Sequence, residues 1–170
     1  MTSGSGKAKN FTTALEKLHH ENIRASILFG RDLLKMTMVT ELADFVSSRK
    51  WEDLSASSQR GLKIRTLDAL GCAFGALDGP PVTAIARLVA EFDGGKNQSC
   101  TLIGRPGSRS APDRATLFNG ALVRYLDFND SFLAKGETCH PSDNVAPVLS
   151  TAEYSDASGK EFLLSLGIAY

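Results

Sequence analysis

The 170-residue sequence predicts an all-α fold, a multi-helix bundle, and three observations carry that expectation. Apolar residues recur at three- and four-residue spacing through most of the chain beyond Val39, the period of a helix that buries one face. The periodic stretches are punctuated by helix signals at Ser55, Asp78-Gly79-Pro80-Pro81, Pro112-Asp113 and Ser158. A single short run, Ser99 to Ile103, reads as a strand.

The first helix places Leu42, Ala43, Phe45 and Val46 on one face and ends near Arg49-Lys50. Ser55 is an N-cap for a long second helix, because its hydroxyl can accept from a free amide of the first turn. In that helix Leu62, Leu67, Leu70, Ala73, Phe74 and Leu77 form a stripe. Ile64, Ala69, Cys72 and Ala76 widen it until the second half is apolar nearly all round, a pattern that predicts burial. Pro80-Pro81 stop the helix and start a third, with Val82, Ile85, Leu88, Val89 and Phe92 on a narrower face. Asp93-Gly94-Gly95 closes it, and Gly104 to Pro112 reads as a loop.

Pro112 and Asp113 suit the first turn of a fourth helix, where negative charge complements the dipole. Ala115, Phe118, Leu122 and Tyr125 keep its period. A loop is expected from Asp130 to Pro141, followed by a fifth helix capped by Ser142 and Asp143. Ser158 and Glu161 form a capping box for the sixth helix, whose apolar run to Tyr170 has no closing signal. That reads as a chain cut inside a buried helix.

Composition narrows the function. With 19 basic and 19 acidic residues the chain lacks the basic excess of a nucleic-acid binder. Its 42% hydrophobic content is too high for a disordered chain. Cys72, Cys100 and Cys139 form no Cys-x-x-Cys pair, which points to a reducing compartment without a disulfide framework. No run of 18 apolar residues would span a membrane. The zero net charge joins residues 1–37, at +3, to residues 38–170, at −3. Residues 1–37 read as a basic extension and 38–170 as the folded domain.

Four features invite chemical readings. The loop Gly104 to Ser110 combines glycines and arginines before a helix N-terminus, the makings of an anion cradle, but lacks the order of a nucleotide P-loop. An ordinary surface loop is the plainer reading, with carboxylate binding by Arg109 left open. Glu137-x-x-His140 has the spacing of a helical di-iron ligand pair. Gly136 and Pro141 bracket it and no second copy exists, so no metal is expected. Cys139, next to His140, reads as a structural thiol. The densest cluster is Tyr125 to Ser131 followed by His140 to Asn144, with carboxylates, a hydroxyl, an amide and an imidazole around one loop. Such a set can move protons near neutral pH, and it can equally be caps and satisfied loop residues.

Residues 125–144, Tyr-Leu-Asp-Phe-Asn-Asp-Ser-Phe-Leu-Ala-Lys-Gly-Glu-Thr-Cys-His-Pro-Ser-Asp-Asn, resemble the signature of the MmgE/PrpD family. Lys63 to Cys72 and Asn119-Gly120-Ala121 resemble it too. The family includes 2-methylcitrate dehydratases and cis-aconitate decarboxylases. The resemblance implies the N-terminal part of the helical domain of a larger enzyme, which also has an α+β lid domain. It implies catalytic roles for Asp127, Ser131 and His140. Asn129, Lys135, Asn144 and Arg109 are candidates for substrate contacts. The loop between Ser131 and His140 resembles the dehydratase branch, so dehydration of a tricarboxylate without metal or cofactor is expected. A cis-aconitate decarboxylase, or a non-catalytic helical dimerisation module, are the alternatives. The full-length protein is expected as a homodimer in the cytoplasm, or in the mitochondrial matrix of a eukaryote. The remaining active-site groups are expected beyond residue 170, leaving the segment inactive alone.

Overall fold

A computed structural model describes residues 37–92 and 98–170; the expected extension therefore lies outside the described residues, apart from Thr37. Six α-helices and two small sheets are present among them, so the chain is mostly helical as expected. Helix α1, Met38–Ser48, stands in a unit separate from Arg49–Tyr170, which forms a second one.

The second unit begins with a 3-10 turn at Trp51–Asp53 and helix α2, Ala56–Gly75. Ser55 Oγ accepts from the Ser58 amide at 3.1 Å, the N-cap the sequence predicts. Helix α3, Pro80–Phe92, leaves α2 at 89°, because the two prolines cannot continue the preceding helix. Helix α4, Pro112–Tyr125, carries Asp113 in its first turn and Arg124 in its last, both favourable to its dipole. Helices α5, Val145–Ser155, and α6, Gly159–Ala169, complete the bundle. The capping box at α6 is formed: Ser158 Oγ accepts from the Glu161 amide at 3.3 Å, and Glu161 accepts from the Ser158 amide at 2.7 Å.

Helix α4 is the central element and packs against α2, α3 and α5. Phe118, Leu122 and Val123 on it are buried with Ala69 and Ala73 of α2, Val82 and Val89 of α3, Val145 and Leu166. Burying a side chain of the size of Phe118 or Leu122 stabilises the fold by about 1.5–3 kcal/mol. The alanines of α2 have no bulk beyond Cβ, which lets its backbone approach α4 closely. The opposite side of α2 departs from the expectation of burial: Ile64 is 56%, Leu67 71% and Phe74 57% exposed. A helix apolar all round needs partners on two sides, and α4 covers only one.

The sheets are local. Strand β1, Cys100–Thr101, pairs antiparallel with β2, Arg109–Ser110, so the predicted strand is shorter and the following loop contains its partner. The buried Asn119 amide of α4 pins β1, donating to Thr101 C=O at 2.8 Å and accepting from the Ile103 amide at 2.9 Å. Strands β3, Phe132–Ala134, and β4, Glu137–Cys139, form an antiparallel hairpin where the sequence suggests only a loop. Its two-residue turn, Lys135-Gly136, has Gly136 at φ 88°, a conformation glycine adopts without a Cβ penalty.

Candidate active site at the end of helix α4

The cluster starts where α4 stops. Asp127 follows the C-cap Leu126 in the left-handed region, φ 56°, which an aspartate visits more readily than most residues because its short side chain bonds locally. This reversal turns the chain into Asn129, Asp130 and Ser131. The hairpin then returns it to His140, and a 3-10 turn at Pro141–Asn144 leads into α5.

His140 is held at one edge of its ring. Nδ1 lies 2.9 Å from the Asp130 carbonyl oxygen. A carbonyl can only accept, so this contact puts the proton on Nδ1 and leaves Nε2 as the free nitrogen. The Ser131 hydroxyl sits 3.4 Å from the same Nδ1. Nε2 faces Asp127, whose Oδ1 is 4.0 Å away. The imidazole is mostly covered, whereas the Asp127 carboxylate is 68% exposed and open to an incoming molecule.

Charged groups around this pair fix the loop. Arg124 on the last turn of α4 donates to Asp127 Oδ1, reaches Asn129 Oδ1 at 3.4 Å and lies 3.9 Å from Asp143. Arg65 of α2 donates to Asp130 Oδ2 at 2.7 Å. The other oxygen of Asp130 accepts from the Ser142 amide at 3.0 Å, and Ser142 Oγ accepts from Asn129 Nδ2 at 2.7 Å. Tyr170 stacks beneath Arg65, its ring centroid 5.7 Å from the guanidinium carbon. Burial, followed by the nearby Asp130 charge, pushes its phenol well above the ordinary range.

Four of the seven residues singled out in the sequence, Asp127, Asn129, Ser131 and His140, thus come together. The other three stand apart. Asn144 donates to the Ala169 carbonyl at 3.0 Å, closing the end of α6. Lys135 occupies the exposed tip of the β3–β4 hairpin. Arg109, on β2, lies 3.5 Å from Glu153 and donates to Thr101 Oγ1 at 3.4 Å. Glu137 and His140 lie on a strand and the turn after it, not on a helix, and among the described residues no cluster of three or more His, Cys, Asp and Glu suits a metal ion. The expected cap of α5 differs as well. Pro141 opens a 3-10 turn, Ser142 is engaged by Asn129, and α5 starts at Val145 with no side-chain cap.

The model of the MmgE/PrpD N-terminal domain matches residues 40–170, with this cluster inside the match. The chain belongs to the MmgE/PrpD family. Among its relatives, the 2-methylcitrate dehydratase of Cupriavidus necator is 31% identical over 119 residues, 69% of this chain and 23% of that protein. The one of Escherichia coli K12 is 38% identical over 104 residues, 55% of this chain and 20% of that protein. The one of Salmonella typhi is 36% identical over 138 residues, 80% of this chain and 26% of that protein. The chain therefore spans about a quarter of the length of these relatives.

In this MmgE/PrpD domain the residues that local sequence reading overlooks are Arg124 and Arg65. Arg124 stands three residues before Asp127, a helical spacing that offers an i,i+3 partner. Arg65 is 65 residues from Asp130, and nothing local in the sequence joins the two.

Proposed function

We propose that the chain supplies one half of the active site of a hydro-lyase that removes water from 2-methylcitrate. The observation that carries this reading is the orientation of His140, with Nδ1 held by a backbone carbonyl and Nε2 turned toward an exposed Asp127. The relatives that share the segment are named 2-methylcitrate dehydratase, which supports the choice of substrate.

Dehydration breaks a C–H bond next to a carboxylate and the C–O bond of the neighbouring hydroxyl, and forms C=C. The proton passes to a base, and the departing hydroxide takes a proton to become water. Each of these transfers typically contributes about 10²–10⁴-fold when a side chain performs it. His140 Nε2 is one proton carrier. Asp127 orients the imidazole and stabilises its charged form, or takes the substrate proton itself. Arg124 donates to Asp127 Oδ1 and holds the carboxylate beside the imidazole. Ser131 is assigned to a substrate hydrogen bond and Lys135, from the hairpin tip, to charge neutralisation; Asn129 and Asn144 already hold other partners, and Arg109 lies apart from the cluster on β2. The compartment we propose for the enzyme is the cytoplasm, or the mitochondrial matrix in a eukaryote.

The test compares substrates. Full-length protein carrying this segment, supplied with 2-methylcitrate or with cis-aconitate, should form the unsaturated tricarboxylate from the first and release no CO₂ from the second. Decarboxylation of cis-aconitate without dehydration of 2-methylcitrate would overturn the assignment.

A further inference from the structure

We propose that the groove between α3 and the β1–β2 connection is a second binding site, for a small organic anion carrying two or more negative charges. Its volume of about 680 Å³ lies within the range of small-molecule sites. Its walls carry Arg87 from α3, Arg105 and Ser108 from the connection, and Arg109 from β2. Ala86, Val89, Leu102 and Phe118 make its floor apolar. Among the described residues no Asp or Glu lines it, although residues 38–170 are net negative. Positive charge is thus concentrated on this groove.

The guanidinium groups have capacity to spare. Arg109 leans on Glu153 at 3.5 Å, and that carboxylate is already occupied by the Thr101 amide and hydroxyl. The Arg87 and Arg105 side chains make no hydrogen bond or ion pair among the described residues. The connection that carries Arg105 is fixed by its own backbone. The Arg105 amide donates to Leu102 C=O at 3.1 Å, the Ser108 amide to Arg105 C=O at 3.0 Å, and the Leu102 amide to Ser108 C=O at 3.3 Å. Gly104, at φ 74°, seats this loop so tightly that a Cβ there would collide with the Leu77 side chain.

Arginines on a rim above an apolar floor suit a phosphate ester or a polycarboxylate, whose oxyanions accept bidentate guanidinium hydrogen bonds. The groove is separate from the Asp127–His140 cluster. Phe118 on its floor and Tyr125 at the end of α4 are seven residues apart, about 10 Å along the helix, and Asp127 lies beyond. A ligand the size of a tricarboxylate cannot bridge that span, so this site stands or falls independently of the proposed hydro-lyase chemistry.

The test is an amide and arginine Nε NMR titration of the ¹⁵N-labelled chain with citrate and with inorganic phosphate, at ionic strength held constant with sodium chloride. Saturable shifts are expected at Leu102, Gly107, Ser108 and the Arg87 and Arg105 side chains with at least one probe, and the responding probe tells carboxylate from phosphate. Arg87→Gln and Arg105→Gln should each weaken binding about tenfold, whereas Asp127→Asn should leave it unchanged. Shifts that do not saturate with either probe, binding indifferent to both arginine variants, or binding lost in Asp127→Asn would each overturn the proposal.

Discussion

Asp130 is where the architecture of the site is most exposed to a single substitution. Its side chain is 14% exposed and joins α2, through Arg65, to the turn that carries His140, through the Ser142 amide. Replacing it with alanine leaves that buried amide without an acceptor, and a hydrogen bond to a charged group is worth about 1.5–3 kcal/mol. The ion pair adds only about 0.5 kcal/mol, because solvent screens a guanidinium in this position; Arg65 is half exposed. Asp130→Ala should therefore destabilise by about 2–3.5 kcal/mol, a drop in Tm of roughly 6–10 °C. Asp130→Asn keeps an oxygen for the Ser142 amide and should cost only about 1 kcal/mol. Urea unfolding of the two variants measures the difference. The ring nitrogens of His140, followed by ¹⁵N NMR, should shift in the alanine variant and hold in the asparagine variant. Equal losses in both, or a loss under about 1 kcal/mol in Asp130→Ala, would refute the idea that this carboxylate ties the turn to α2.

Three further outcomes are expected. Gly104→Ala forces a Cβ into the left-handed region against Leu77 and should destabilise by about 2–3 kcal/mol in urea unfolding; a loss under about 1 kcal/mol would contradict this. A thiol reagent should label Cys139 first, since it is exposed; Cys72 and Cys100 are buried, and burial, the largest cause, raises both thiols, so their labelling should wait on unfolding. The Glu161 carboxyl is held below the ordinary range, chiefly by the Ser158 amide. Its stabilisation is therefore present above the ordinary glutamate pKa and lost as pH falls through the lowered one. Melting curves of wild type and Glu161→Gln should then differ at neutral pH and converge in acid.

Much of this was readable from local chemistry. Helices announce themselves through period and caps, and Ser55, Pro80-Pro81 and the Ser158–Glu161 box act as their residue types require. Asp127, Ser131 and His140 stand in one recognisable motif, and the fold brings all three to one loop. The β3–β4 hairpin is hidden in the sequence because Phe-Leu-Ala and Glu-Thr-Cys do not alternate cleanly and Lys-Gly is a weak turn signal. Ser142 has the residue type of a helix cap, yet Asn129 engages its hydroxyl. The exposed side of α2 shows the limit of periodicity, which ranks faces by apolarity but cannot say which one finds a partner. Arg65 illustrates a different gap. Its importance comes from a contact across 65 residues that only the packing of α2 beside the α4 terminus creates.

The central claim is that His140, turned by the Asp130 carbonyl toward Asp127, transfers a proton during dehydration. Turnover of 2-methylcitrate by full-length His140→Ala protein, followed as formation of the unsaturated product, measures this most directly. A fall of about 10²-fold or more, with the far-ultraviolet circular dichroism and Tm of the wild type kept, is the predicted result. Turnover within a few-fold of wild type would contradict it.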